Sequence, residues 1–343
     1  MPDVPQKKQR ILVGGGAGYL GSVLVPALIE RGHHVEVIDL LWFGNHLPHS
    51  VKVIKKDLFD CVEDDFKNFD QFIFLAGLSN DPMAKHSPSK NFILNGALPS
   101  YLAYLAKRAK VKRFIYASSC SVYGFTVDQA FDETAPAVSQ YPYGISKLQG
   151  EQGVLQLGDE NFSVIVLRQG TVCGYSPRMR MDLIINAMFK SALTEGKITV
   201  NNPDIWRPIY DIRDCVQGFI TSIQAPADLN GIFNVASGNF TVGEVGAAVK
   251  EKMEKFLKKE ILLEIKHLED MRNYKVSVDK AKRLLKFEPR HSISDIVEDL
   301  HNHLNDLGDL DSDEYYNIRI FKKIAQREEL HKQKLAEIDE FKY

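Results

Sequence analysis

Tyr143 and Lys147 are the residues whose types and spacing most directly suggest chemistry. In Tyr143-Gly-Ile-Ser-Lys147 they stand four apart, so on a helix they share one face. An ammonium there stabilises phenolate and lowers the tyrosine pKa. A tyrosine tuned in this way can take a proton from a hydroxyl near neutral pH. An oxidised nicotinamide ring close by would add further positive charge. The second group is Gly15, Gly18 and Gly21, three apart in Ile11-Leu-Val-Gly-Gly-Gly-Ala-Gly-Tyr-Leu-Gly21. Glycines turn the backbone tightly and let a pyrophosphate reach a helix N-terminus, where free N–H groups and the macrodipole favour negative charge. Asp39 follows about twenty residues later, where a carboxylate accepts hydrogen bonds from an adenosine ribose and repels a 2′-phosphate. Leu40, Leu41 and Trp42 come next, with no arginine. The pattern favours NAD over NADP.

The elements that must position these groups are legible in the apolar pattern. Ile11–Val13 reads as a buried strand and Tyr19–Glu30 as a helix ending at Gly32. Further strands are expected at 35–39, 51–54, 72–77, 114–118 and 164–167, with helices such as 98–110 and 143–157 between several of them. Strands alternating with helices predict an α/β fold with a doubly wound parallel sheet. Ligands of such sheets bind at the strands' carboxyl ends, where Asp39, Asp57, Gly77 and Ser119 fall. Beyond Gly170 the elements are shorter: a helix at 181–195, strands at 197–200, 206–210 and 262–267, and a helix at 214–224. Thr241-Val-Gly-Glu244 forms a capping box opening another helix, and a late helix starts at Ser292. The division expected is 1–170 with a return segment at 207–237 for the sheet, 171–206 and 238–311 for a smaller α/β cap, and 312–343 for a charged tail. That tail, a solvated or frayed helix over Ile324–Tyr343, is assigned no chemistry.

Composition narrows the class. With 343 residues, 44% hydrophobic and 26% charged, the chain reads as globular, and its net charge of −2 gives no electrostatic case for a nucleic-acid or membrane partner. No apolar stretch is long enough to span a bilayer, and the polar, basic Met1–Arg10 does not read as a signal peptide. Cys61, Cys120, Cys173 and Cys215 are widely spaced and read as reduced thiols of a cytoplasmic protein, not as disulfides or metal ligands.

The glycine pattern, Asp39, Asp57-Leu58, Ser118-Ser-Cys-Ser-Val-Tyr-Gly124 and the Tyr143/Lys147 pair occur in this order. Together they resemble the extended short-chain dehydrogenase/reductase superfamily, and within it the NAD-dependent nucleotide-sugar epimerase/dehydratase family. The resemblance spans roughly residues 9–307. It implies a Rossmann-type sheet binding NAD along Gly15, Gly18, Tyr19, Leu20, Gly21, Asp39, Asp57, Leu58, Leu75, Ala76 and Gly77, with Tyr143 and Lys147 at the nicotinamide end. It makes Ser119 the third catalytic residue, hydrogen-bonded to the reacting hydroxyl. Arg207 and Arg272 resemble the arginines that grip a nucleotide-sugar diphosphate, and Arg178 and Arg180 are placed to line the same site. The family's two-helix dimer interface implies a homodimer through the helices at 98–110 and 145–157.

Several positions depart from the family pattern. Gly14 stands where threonine is usual, Ile93 where asparagine is common (although Asn95-Gly96 follows), and Thr171 where asparagine normally contacts the substrate phosphate. Cys120 and Ser121 occupy the places of the acidic pair that 4,6-dehydratases use to eliminate water. The expected reaction is therefore 4-epimerisation through a transient 4-keto sugar, with dehydration, decarboxylation or net oxidoreduction as the alternatives. A cofactor-binding protein without catalysis is the remaining possibility, and the intact Ser119/Tyr143/Lys147 set argues against it.

Overall fold

The computed structural model describes the backbone of residues 8–268 and 272–340, and the side chains among them apart from 126–128 and 330–340. The chain begins with β1 (Arg10–Gly14), α1 (Gly21–Glu30), β2 (His34–Asp39), β3 (Lys52–Lys55) and β4 (Gln71–Phe74). Next come α2 (Asp81–His86), α3 (Pro88–Phe92), α4 (Leu98–Arg108), β5 (Arg113–Ser119), β6 (Phe125–Phe131), α5 (Pro142–Leu155), β7 (Ser163–Gln169) and β8 (Thr171–Cys173). The second half holds α6 (Ile184–Glu195), β9 (Lys197–Asn201), β10 (Trp206–Asp211), α7 (Ile212–Gln224), β11 (Gly231–Val235), β12 (Gly238–Thr241) and α8 (Val242–Leu257). It closes with β13 (Leu262–Lys266), β14 (Asn273–Val276), α9 (Asp279–Leu285), α10 (Ile293–Asn302) and α11 (Asn317–Glu340).

Seven strands form one sheet in the order β11-β7-β5-β4-β1-β2-β3, every neighbouring pair parallel. Both faces are covered, so the strands read as unbroken apolar runs instead of alternating ones. In β1, Ile11 and Val13 face one core and Leu12 the other. In β5, Phe114 and Tyr116 face the second core and Ile115 and Ala117 the first. The strand order reverses between β1 and β4, which leaves a crevice at their carboxyl ends. Over that edge lies a second layer, in which α6, α8 and α10 pack through Ile185, Phe189, Val245, Val249, Ile296 and Leu300. Its strands form the small sheets β12-β10-β8 and β13-β9.

Three local features differ from the sequence-based expectation. The helix expected from Met181 begins at Ile184, because Arg180 and Asp182 pair with each other ahead of it. Residues 93–97 form a π-helical turn that leaves Ile93 exposed and turns Asn95 inward. There Asn95 accepts from the Leu78 amide (3.0 Å) and donates to the Leu78 carbonyl (2.9 Å). The segment expected as a charged tail is docked at the start of α11, ahead of the part expected to be solvated: Phe321 is fully buried against Leu78 and Met83, with Trp42 beside it. Its last residues, 341–343, lie outside the described residues. On α4, Leu98, Leu102, Leu105 and Ala106 pack toward the sheet, while Tyr101 and Tyr104 stay exposed.

Candidate active site

A cavity of about 890 Å³ runs along the carboxyl edge of the main sheet, and every residue the sequence nominated, from Gly15 to Arg272, lines it. Its floor is the turn from β1 into α1. Gly15 has φ +78°, and a Cβ there would sit 2.6 Å from the Ala76 amide nitrogen, so side-chain-free backbone lets the β1 and β4 ends approach. At Gly21 a Cβ would collide with the Gly16 carbonyl. No side chain caps α1, and its first turn holds no acid, so the helix end facing the cavity is suited to an anion. Asp39 anchors the next wall: its carboxylate accepts from the Ala17 amide (3.0 Å) and the Leu41 amide (2.7 Å). Burial raises its pKa, and those two amides pull it back. Asp57 caps the turn into Leu58 through the Phe59 amide (3.0 Å).

Helix α5 delivers Tyr143 and Lys147 to the opposite wall. Tyr143 lies within hydrogen-bonding reach of Ser119; burial raises the phenol pKa and the Ser119 bond lowers it. Ser119 caps the turn after β5 and donates to Ser121 Oγ (3.1 Å). Lys147 Nζ donates to the Ala117 carbonyl at 2.8 Å, and burial lowers its pKa to about 8 against the opposing pull of Glu151. Glu151, one turn further along α5, forms a fully buried ion pair with Arg168 (2.7 Å) and accepts from Ser118 Oγ. Arg168 also donates to Tyr123. This network ties α5 to β5 and β7, and it was not singled out from sequence, although Glu151 repeats the four-residue step from Lys147. Cys120 is buried with its thiol on the Arg168 carbonyl, and burial raises its pKa.

The arginines fall into two groups. Arg207 donates to the carbonyls of Trp206 and Arg272 and lies over the Tyr274 ring. Tyr274 in turn approaches Ser121 Oγ at 3.4 Å, so this group adjoins Ser119. Arg272 pairs with Asp81 on α2 and lies over Tyr141. Its sequence neighbours Asp270 and Met271 lie outside the described residues. Arg178 and Arg180 sit beside Tyr19, and Arg180 is matched by Asp182, which also accepts from Asn80. Thr171 opens β8 between the two groups, where it lines the cavity. Asn80, Asp81, Asp182, Tyr274 and Asn317 join this lining with no spacing signal in the sequence.

Residues 11–236 match the model of the NAD dependent epimerase/dehydratase family. The chain belongs to that family. Its enzymes work with NAD, and the site fits that cofactor: a glycine-lined helix end for a pyrophosphate and a carboxylate at the end of β2 for a ribose. UDP-glucuronic acid decarboxylase 1 of Arabidopsis thaliana is 28% identical over 321 residues, which cover 88% of this chain and 72% of that protein. UDP-glucose 4-epimerase of Azospirillum brasilense is 31% identical over 188 residues, 52% of this chain and 54% of that one. The crystal structure of UDP-glucuronic acid 4-epimerase from Bacillus cereus, in complex with UDP-glucuronic acid and NAD, shares the fold with a TM-score of 0.76 at 23% identity. The match covers 87% of this chain and 100% of that one. Among the described residues of this family member, no helix is long and apolar enough to cross a membrane.

Proposed function

We propose that the protein is a nucleotide-sugar 4-epimerase, with Tyr143 as the proton acceptor. The observation that carries this reading is the meeting of Tyr143, Ser119 and Lys147 in one cavity with Arg207 and Arg272. Bound NAD supplies the acceptor, and later the donor, of the C4 hydride. Tyr143 takes the proton of the sugar 4-hydroxyl while Ser119 hydrogen-bonds the same oxygen. Lys147 offsets the phenolate charge that results. Arg207 and Arg272 hold the diphosphate while the 4-keto sugar turns its other face, and Tyr143 then returns the proton. The relatives' names make UDP-sugars the substrates to try first. The same reading includes a homodimer through α4 and α5, with Tyr101 and Tyr104 on the exposed face of α4.

The Arabidopsis relative supports a second reading, in which the 4-keto intermediate of a uronic acid loses its carboxylate. Cys120 and Ser121 carry no acid for water elimination, so dehydration is disfavoured. The test is to incubate the purified enzyme with UDP-glucose, UDP-galactose and the two corresponding uronic acids, and to follow products by NMR. Inversion at C4 with no net change in NADH supports the first reading, and CO2 release supports the second. Tyr143→Phe should retain NAD, measured after denaturation by mass spectrometry, and lose about 10²–10⁴-fold in turnover. A fully active variant would remove Tyr143 from the role of base.

A further inference from the structure

Among the described residues, Arg178 stands out from the other buried arginines by the company it keeps. Arg168 is matched by Glu151 and Arg180 by Asp182. Arg113 is buried too, but it caps carbonyls at the end of α7, those of Ser222, Ile223 and Ala225 among them. Arg178 is 2% exposed and lines the cavity, yet no carboxylate lies in contact with it. Its bonds go to neutral oxygens: Asn317 Oδ1 at 2.5 Å and, weakly, the Met179 carbonyl at 3.4 Å. Its Nε has no hydrogen-bond partner. Its guanidinium lies 3.7 Å over the Phe43 ring. A buried cation is costly unless something pairs with it, and a guanidinium that lines a binding cavity without an acid is built for an anionic ligand.

The surroundings say which anion. Two residues before Arg178, Ser176 donates to the Tyr19 carbonyl at 2.7 Å, which fixes this segment against the glycine turn at the start of α1. Asp39, the ribose carboxylate, is among the charges that act on Arg178. The arginine thus lines the same cavity as the helix end suited to a pyrophosphate and the carboxylate suited to the adenosine ribose. What holds it there comes from the far end of the chain. Asn317, in the first turn of α11, accepts from Arg178 and donates to Ser79 Oγ (2.8 Å). Phe321, one turn on, seats the helix against Leu78, Met83 and Trp42.

The geometry points to Arg178 as the cation that takes the dinucleotide's diphosphate, with α11 as the latch that holds it in place and so sets how long the cofactor stays bound. This rests on the cofactor site described above and moves Arg178 from the sugar-nucleotide diphosphate to the cofactor's. The test uses the whole chain stripped of cofactor, with adenosine, ADP, NAD and NADP as probes. Arg178→Gln should weaken ADP and NAD about 10–100-fold and adenosine by less than about twofold, a pattern that a general loss of packing would not produce. Arg178→Lys should recover part of the ADP affinity. Asn317→Ala, which keeps the arginine but removes its tether, should speed NAD release about tenfold while leaving adenosine binding near wild type. Equal losses for adenosine and ADP, or an unchanged NAD release rate in Asn317→Ala, would overturn the proposal. So would a loss confined to NADP, which would place a 2′-phosphate there instead. Wild-type protein that binds neither ADP nor NAD would instead overturn the reading of the cofactor site itself.

Discussion

Lys147 carries its ammonium into a buried position on the cavity wall, where burial lowers its pKa to about 8 from an unfolded value of 10.5. Between those values the unfolded chain binds the extra proton. The ligand-free fold therefore gains stability as pH rises through that window, and carries the full penalty below it. The expected swing is on the order of 3 kcal/mol. Urea midpoints of wild type and Lys147→Met at pH 8 and pH 10 check this: the wild type should gain on the variant at the higher pH, and parallel behaviour would refute it. Tyr143 stays protonated without ligand, since burial raises its pKa; the positive charge of a bound oxidised nicotinamide acts in the opposite direction. Glu151 ties the helix that carries both to β5 and β7. Glu151→Gln leaves the Arg168 guanidinium buried beside a neutral amide and should cost about 3–5 kcal/mol. A loss under about 1 kcal/mol in chemical denaturation would show that α5 is held by other means.

At the scale of elements, the strand–turn–helix unit at the start of the chain is the most constrained. A methyl at Gly21 runs into the Gly16 carbonyl, whereas one at Gly18 meets only the Gly15 carbonyl at 3.3 Å. Gly21→Ala should therefore destabilise the ligand-free protein by about 1–3 kcal/mol and Gly18→Ala by less; the reverse order in thermal melts would contradict this packing. This unit, the parallel strands, the capping box at Thr241 and the helix start at Ser292 were legible because each is written in a local pattern: apolar runs, glycine spacing, Thr241 with Glu244, Ser292 opening its helix. β14 pairs with β6 across more than a hundred residues, and no local pattern announces such a contact. The π-helical turn was hidden for a different reason. Ile93 stands where the family pattern has asparagine, and the one widened turn after it brings Asn95 inward. Among site residues, Tyr143 and Lys147 were visible by spacing. Asp81, Tyr274 and Asn317 reach the cavity only through tertiary packing, and the charge-rich sequence of α11 concealed the buried Phe321 that docks it.

For the whole molecule, the proposed homodimer makes a prediction that concerns neither chemistry nor cofactor. Sedimentation should give twice the 38.8 kDa chain mass. Tyr104→Glu, on the exposed face of α4, should shift the protein toward monomer without unfolding it. An unchanged dimer would move the interface elsewhere, and a monomeric wild type would remove it. The sheet order carries a consequence for how the protein is made. β11 pairs with β7 through Gly231 and Ile165, roughly sixty residues apart, and most of the second layer is encoded between or after them. On the ribosome, at ~5–20 residues per second, the outer side of β7 stands open for roughly 3–12 s before its partner emerges. Through that interval Val164, Ile165, Val166 and Leu167, all fully buried once folded, present an unpaired parallel edge to the cell. Nascent chains of this protein should accordingly depend on chaperones at the ribosome until residue 235 has cleared the exit tunnel.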